Sequence, residues 1–357
     1  MFPFRPKGIA KRMLAPFEPG TLSVPEPKKP RLVNVLEVAD GISVSKLGKM
    51  LKSLGLTDKQ RAIERHVAAL VDINTPYGNL IEWTKLPTTD GKQHQWPFCN
   101  PCALLYILCH RYPRFASLLR NSSRDGSYRV ALYTDETTPG NVLNPDITKE
   151  IQFIYWTLHE LPGWMRARKS GWWVFGIMRT SEQKIVKGKL GRILRHVIRT
   201  FFKSPNHSFT LGVRLPLGRG DGAPSFLFRA TLGCLIQDEK GHKNTWSVKG
   251  ASGCRCCHLC KNIVKCDRAK LEGDNYAKHV STALPHEFDP QTDAEFWAAC
   301  DMLSGTPPDE VEKKEIATGI NYDPDGLSFD HELREHVAIS KTFFDWMHSL
   351  AASGGIF

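Results

Sequence analysis

Two long apolar stretches that each end in a pair of acids constrain this chain more than any other feature. In the first stretch, Tyr128 to Asn141, apolar and β-branched residues run up to Thr134 and are followed by Asp135 and Glu136. Thr-Thr-Pro-Gly then ends the element at once, so the pattern predicts a buried strand that presents acids at its carboxyl end. A strand-end aspartate can also simply cap a turn, and for Asp135 alone that interpretation stays open.

The second stretch, Phe226 to Glu239, has the same design, because its apolar run closes on Asp238 and Glu239. If the two strands lie side by side and parallel, Asp135 and Asp238 come within reach of one pair of divalent cations about 4 Å apart. The ends of strands in a rigid sheet are suited to hold such carboxylates. The repeated design therefore predicts a two-metal site, provided that the strands are neighbours.

Three further elements lie between the acidic strands. Ile151 to Leu158 is a strand or a buried helix, and Trp172 to Met178 is a strand. Lys184 to Lys203 is predicted to be an amphipathic helix, because its apolar residues recur at three and four. These apolar residues are Leu190, Ile193, Leu194, Val197, Ile198 and Phe201.

The opposite side of this helix is basic, and Lys184 to Lys203 contains no acid. A solvated helix face usually mixes the two signs of charge, so an unbroken positive face favours contacts with the phosphates of DNA, although a plain solvated surface remains an alternative. The predicted DNA-binding residues are Lys187, Lys189, Arg192, Arg195, Arg199 and Lys203.

The order of elements is strand with acid, strand, strand, helix, strand with acid. That order matches the ribonuclease-H-like fold, in which the first and fourth strands pair in parallel and each presents an aspartate. We therefore expect an α/β chain with a ribonuclease-H-like mixed sheet.

Cysteines and a histidine downstream form a possible zinc site. Cys257 and Cys260 form a CxxC turn, a geometry in which both thiolates can face one Zn²⁺. Far downstream, Asp345 and His348 are three residues apart and would share one face of a helix. We expect a zinc knuckle after the second acidic strand.

Taken together, Tyr-Thr-Asp135, Asp238, the Cys257 and Cys260 pair and Asp345-x-x-His348 resemble the catalytic region of CACTA-type (En/Spm-like) DDE transposases. Kindred patterns occur in the Kyakuja-Dileera-Zisupton group. The resemblance covers residues 128–357 and leaves the first third of the chain unassigned.

The resemblance implies roles for these residues. The acids at Asp135 and Asp238 would bind catalytic Mg²⁺ or Mn²⁺, and Cys257, Cys260 and His348 would bind a structural Zn²⁺.

In this family the third catalytic acid follows the Asp-x-x-His element, but Ser349 to Phe357 contains no acid. Either the chain is truncated before that acid, or Asp345 itself is the third acid and only His348 is structural.

Two functions follow from these expectations. The first is a DNA transposase or a transposase-derived protein that performs two-metal phosphodiester hydrolysis and strand transfer. The second is a non-catalytic, zinc-stabilised nucleic-acid-binding protein that keeps the fold without the chemistry.

The N-terminal third is predicted to consist of two parts. Residues 1–32 hold seven prolines and scattered basic residues and are expected to form a disordered basic arm. Lys28 to Arg31 could act as a nuclear import signal, which would make the protein nuclear. Residues 43–120 are expected to be a small helical region, with helices over residues 43–54 and 57–73.

Cys99 and Cys102 also have the two-residue gap of a metal hairpin. No obvious second pair of ligands follows, and Cys109 falls on a predicted helix from Pro101 to Tyr112. We therefore expect buried thiols here.

The charge of the chain is strongly polarised. The net charge is +11, yet residues 286–335 hold fourteen acids and three basic residues. We place this acidic segment, as a solvated loop, in an insertion at about residues 250–340 of a domain spanning 128–357. The basic remainder favours DNA as the partner, with a possible homo-oligomer.

No apolar run reaches the length of a membrane span, so no membrane partner is expected.

Overall fold

The structure is a computed structural model that describes residues 73–123, 125–138, 149–220, 222–255, 257–262, 286 and 288–345. The predicted arm over residues 1–32, the two predicted helices that precede residue 73, and His348 lie outside the described residues.

Ten strands are described. They are β1 Asn74–Thr75, β2 Gly78–Asn79, β3 Ile81–Pro87, β4 Gln93–Cys99, β5 Ser127–Thr137, β6 Ile151–Leu158, β7 Trp173–Arg179, β8 Val213–Pro216, β9 Ser225–Gln237 and β10 Thr342–Phe344.

Eight α-helices are described. They are α1 Pro101–Arg111, α2 Pro113–Ser122, α3 Gly163–Arg166, α4 Thr180–Ile185, α5 Lys189–Ile198, α6 Glu239–Trp246, α7 Asp293–Ser304 and α8 Pro308–Thr318. A π-helical turn, Arg199–Lys203, continues directly from α5. No described helix has the length and apolar character needed to cross a membrane.

The centre of the fold is a mixed sheet with the strand order β10-β9-β5-β6-β7-β4-β3, and β8 pairs with β9 beside it. β5, β9 and β10 run parallel to one another. β6, β7, β4 and β3 continue the sheet on the other side of β5 in antiparallel pairings. The chain therefore has a mixed α/β architecture, as the sequence predicts.

Alternation along β5 explains why its two faces differ. Tyr128, Val130, Leu132 and Thr134 are buried, as expected for alternate residues on the face that meets the core. The helical segment covers this face, because Phe201 packs its ring 5.2 Å from that of Trp156 on β6. The opposite face of β5 is more open.

The predicted helix over residues 184–203 is shorter than expected. Gly188 adopts a left-handed conformation with φ 72°, which ends the preceding chain segment, and α5 begins at Lys189. A residue with a side chain would be strained there, so the glycine allows the break. The predicted apolar side of the helix is confirmed, since all six of its residues from Leu190 to Phe201 are buried.

Other local predictions have clear outcomes. Residues 151–158 form a strand, which settles the open alternative, and the strand predicted over 172–178 is confirmed as β7.

The expectation of a helical region over 43–120 is wrong for β3 and β4, which form a hairpin that joins the main sheet through β7. Aromatic and polar residues alternate in this hairpin, and pairing with β7 stabilises it as strand.

The thiols near α1 are buried, as predicted. Burial raises the pKa of Cys99, Cys102 and Cys109 to about 12, so these thiols stay protonated.

The acidic segment is ordered rather than a solvated loop. It contributes α7 and α8, and Leu327, Phe329 and Leu333 from its second half are buried in the core. The expectation of a solvated loop is wrong because the acids alternate with these apolar residues, and burial of the apolar residues holds the segment against the domain.

Candidate functional site

Three aspartates lie at the same level of three neighbouring parallel strands. Tyr133 of β5 is paired with Ile236 of β9, so Asp135 and Asp238 each lie two residues beyond a paired position. Phe344 of β10 is paired with Gln237, so Asp345 also falls level with Asp238. The predicted side-by-side, parallel arrangement of the two acidic strands is confirmed.

Asp345 is held at the end of β10 by two hydrogen bonds. Its backbone N–H donates to the carbonyl oxygen of Gln237 at 2.8 Å. Its carboxylate oxygen Oδ2 accepts from the hydroxyl of Tyr133 at 2.9 Å. Only 7% of Asp345 is exposed. A cleft of about 410 Å³ opens beside it, between β10 and β5.

Asp135 shares the surroundings of Tyr133. Burial raises the pKa of the Tyr133 hydroxyl, and the negative charge of Asp135 and the hydrogen bond to Asp345 raise it further. Burial and then the charge of Asp135 also raise the pKa of Tyr155 to about 12. Both carboxylates therefore lie close to a tyrosine that stays protonated and can donate a hydrogen bond.

Asp238 has a second role at the start of α6. It is the N-cap residue, and its Oδ1 accepts a hydrogen bond from the backbone N–H of Gly241 at 2.6 Å. A carboxylate has about four lone-pair sites, so the cap leaves acceptor capacity on this group.

These carboxylates fit hard divalent cations in their chemistry, because Mg²⁺ and Mn²⁺ prefer oxygen ligands. Within the part of the chain that the structure describes, however, no three side chains of His, Cys, Asp or Glu lie close enough together to hold a metal ion. The strand register brings the three aspartates to one level, but they do not form such a group of three.

The CxxC turn is present as a pair of neighbouring thiols. Cys257 and Cys260 are partly buried, and burial and then the charge of Cys257 raise the pKa of Cys260 to about 11. An antiparallel bridge to Pro290 anchors the turn. Two thiols fit half of a tetrahedral Zn²⁺ site. The predicted third ligand, His348, is not among the described residues.

Two buried histidines beside the CxxC turn were not foreseen. The rings of His242 and His258 lie 5.7 Å apart, and both pack against Phe344. His258 lies inside the CxxC turn, and His242 lies one helical turn after Asp238, so their positions in the sequence were visible signals.

The basic side of α5 and of the π-helical turn that follows it forms ion pairs with the acidic segment. Asp330 has a buried carboxylate that accepts from Arg195 at 2.5 Å and from Arg199 at 2.8 Å. The other pairs are Arg192 with Asp325 at 3.1 Å, Arg199 with Glu332 at 2.8 Å and Lys203 with Glu335 at 3.1 Å. Four of the six predicted DNA-binding residues are therefore engaged within the chain.

Lys187 and Lys189 differ from these four residues. Both are exposed, and neither forms an ion pair with a residue in the described ranges. The prediction of DNA contacts at the six positions stays a prediction, and these two lysines are the ones whose charge is open to solvent.

Sequence reasoning missed Tyr133 and Asp330. Tyr133 precedes Asp135 by two residues, so the alternation of a strand places both side chains on one face, and that spacing was a usable signal. Asp330 had no local signal, since its partners are more than a hundred residues away.

Comparison of the chain with protein-family models and with curated proteins found no match.

Proposed function

We propose that this chain is a DNA transposase or a transposase-derived protein with a ribonuclease-H-like fold. In this proposal it cleaves phosphodiester bonds with metal assistance and transfers strands, and it works on DNA in the nucleus. The observation that carries the proposal is the common level of Asp135, Asp238 and Asp345 on three neighbouring parallel strands.

The order of strands supports the ribonuclease-H-like part of the proposal. β5, β6 and β7 form consecutive antiparallel pairs, and the chain then passes through α5 before β9 pairs with the other edge of β5 in parallel. A parallel connection of this kind needs a crossover, and α5 lies within it. β10 follows as a further parallel strand.

Position supports Asp345 as the third acid. Asp345 lies beside Asp238 across the β9 to β10 ladder and is fixed by the Tyr133 hydroxyl. Under this proposal no later acid is required, and Tyr133 serves as a positioning residue that orients the Asp345 carboxylate.

The proposed cofactor is Mg²⁺ or Mn²⁺, held by Asp135, Asp238 and Asp345. These carboxylates would hold the ion, which would supply Lewis-acid stabilisation of the charge on the phosphate oxygens. The protein contributes carboxylates on rigid strand ends and a cleft beside Asp345 through which a DNA strand reaches them.

A structural Zn²⁺ bound by Cys257, Cys260 and His348 completes the proposal. The thiol pair supports it, because thiolates are preferred by Zn²⁺ and not by Mg²⁺. Chelation of zinc is then expected to lower the melting temperature of the purified protein.

A plasmid-nicking assay tests the proposed activity. The wild-type protein should convert supercoiled plasmid to the open circle with Mg²⁺ or Mn²⁺ and not in EDTA. Asp135→Asn should abolish the reaction, because an amide is a poor ligand for a hard cation in place of a carboxylate. Nicking by Asp135→Asn at the wild-type rate would refute the proposed site.

One observation favours the second candidate function, a non-catalytic nucleic-acid-binding protein. Asp238 caps α6, and the described residues contain no group of three metal-ligating side chains. A wild-type protein that binds DNA with strong salt dependence and never nicks it, with either metal, would support this function instead.

A further inference from the structure

The loop between β6 and β7 carries an exposed tryptophan among basic residues. Trp164 is 60% exposed, and the guanidinium of Arg168 lies 5.9 Å from the centre of its ring. Residues 161–172 also include Arg166 and Lys169 and contain no acid. None of these three basic residues forms an ion pair with a residue that the structure describes. An exposed indole beside three exposed cations that have no ion-pair partner among the described residues is a surface for a polyanion that has planar groups.

A row of aromatic rings connects this loop to the acids. Trp172, at the end of the loop, has its ring 6.1 Å from that of Tyr133, at an angle of 68°. Tyr133 stacks at 6.2 Å on Tyr155, which stacks at 5.5 Å on Phe153. Because the Tyr133 hydroxyl donates to Asp345, the row of rings passes the proposed site at Tyr133.

The loop is held in place by its own backbone. The indole N–H of Trp172 donates to the carbonyl oxygen of Arg166 at 2.9 Å, and the Arg166 Nε donates to the carbonyl oxygen of Leu161 at 2.9 Å. These bonds hold Trp172 against Tyr133, while the ring of Trp164 stays largely exposed with Arg168 over it.

We propose that Trp164, Arg166, Arg168, Lys169 and Trp172 form a stacking surface that binds an unpaired DNA strand beside the acids. Bases of the strand stack on the rings, and its phosphates contact the cations. An unpaired strand fits better than a duplex, because the faces of paired bases are covered by their neighbours. This proposal rests on the proposed function, since it names the form of DNA that reaches that site.

Binding of a labelled oligodeoxythymidylate strand in EDTA tests the stacking surface. Trp164→Ala should weaken binding about tenfold, because stacking on one base contributes about 1–3 kcal/mol. Trp164→Phe should retain most of the affinity. Arg168→Gln with Lys169→Gln should reduce the slope of log affinity against log salt by about 1.4, since each phosphate contact to a single strand contributes about 0.7.

The chain offers a matched control at the far edge of the sheet. Trp83 is 56% exposed on β3, and Lys85 is exposed two residues further along the same strand. Trp83→Ala with Lys85→Gln should leave binding unchanged.

The outcomes separate this proposal from the proposed function. Equal weakening by the Trp164 and Trp83 variants, unchanged binding by Trp164→Ala, or an effect of Trp164→Ala on self-association alone would overturn the stacking surface. If strand binding requires Trp164 but the protein never nicks DNA, the stacking surface is supported and the proposed transposase activity is refuted. If the protein nicks DNA normally and Trp164 has no role in strand binding, the proposed activity is supported and the stacking surface is refuted.

Discussion

In the sequence, the acidic strand ends and the basic side of α5 are both candidate functional sites. In the structure, the two have different surroundings. Asp135, Asp238 and Asp345 come from three strands and lie at one level, and an open cleft lies beside Asp345. The cations of α5 and of the turn after it instead lie against the acidic segment, where Asp330 forms ion pairs with both Arg195 and Arg199.

The difference shows what a run of charge can predict. Like charges that come from separate strands to one level of a sheet repel one another, and a shared cation would relieve that repulsion, so their common level supports the proposed metal site. A run of like charge along one helix carries no such cost, because a distant segment of the same chain can neutralise it. The five ion pairs that Arg192, Arg195, Arg199 and Lys203 form with the acidic segment are an instance of the second case.

The largest expected effect concerns Asp345. We expect Asp345→Asn to slow metal-dependent nicking about a hundredfold or more, because it removes a charged ligand at the level of the other two acids. Glu136→Gln is the control: Glu136 follows Asp135 on the opposite face of β5 and pairs with Lys240. Plasmid nicking measures both, and full activity of Asp345→Asn would return the third acid to a position beyond residue 345.

The next effect is on stability. Asp330→Ala should lower the free energy of unfolding by about 3 kcal/mol, because it leaves Arg195 and Arg199 without their buried partner. Urea denaturation measures the change. Asp325→Ala should cost about 1 kcal/mol or less, since the Asp325 side chain is 34% exposed. Equal costs for the two variants would mean that burial of the ion pair is unimportant.

A smaller effect should appear on lowering the pH. Burial, and then the charge of Arg192, lowers the pKa of His196 on α5 from 6.5 to about 4. Its ring packs edge-on against Phe98 at 4.9 Å.

The unfolded chain therefore binds a proton before the folded one does, and stability should fall as the pH drops from about 6.5 to about 4. We expect His196→Leu to remove about 1–2 kcal/mol of this loss. Urea denaturation across that pH range measures it, and an identical pH profile for the variant would contradict the assignment.

The smallest effect is expected for the exposed pair of Lys203 and Glu335. Their side chains are 39% and 63% exposed, so a double-mutant cycle should give a coupling of about 0.5 kcal/mol or less. If Lys203 bound a DNA phosphate, Lys203→Gln would reduce the salt slope of DNA binding by about 0.9. A smaller reduction of the salt slope would mean that Lys203 pairs only within the chain. The full reduction would support Lys203 as a DNA contact.

Local pattern was sufficient for much of the fold. The strands β5, β7 and β9 and the buried side of α5 follow from the spacing of apolar residues, because alternation and helical periodicity are local properties. The β3 to β4 hairpin was missed, because its strand form depends on pairing with β7. The predicted helix over residues 184–203 begins too early, because the break before α5 depends on the conformation of one residue, Gly188.

For the candidate site, sequence supplied the residues and structure supplied the neighbours. Asp135 and Asp238 were identified by the repeated strand design, and β5 and β9 are parallel neighbours as that design required. The placement of Asp345 beside them depends on the register of β10, a strand of three residues that no local pattern marks.

The sequence by itself determined which residues carry charge, which segments alternate as strands, and where two thiols lie two residues apart. Those properties are set by covalent order and local geometry. Only the tertiary structure decided that β10 would bring Asp345 level with Asp238 and that Asp330 would meet Arg195 and Arg199. Both pairings join segments more than a hundred residues apart, and burial of the apolar residues around them, rather than any feature of the charges themselves, fixes which segments meet.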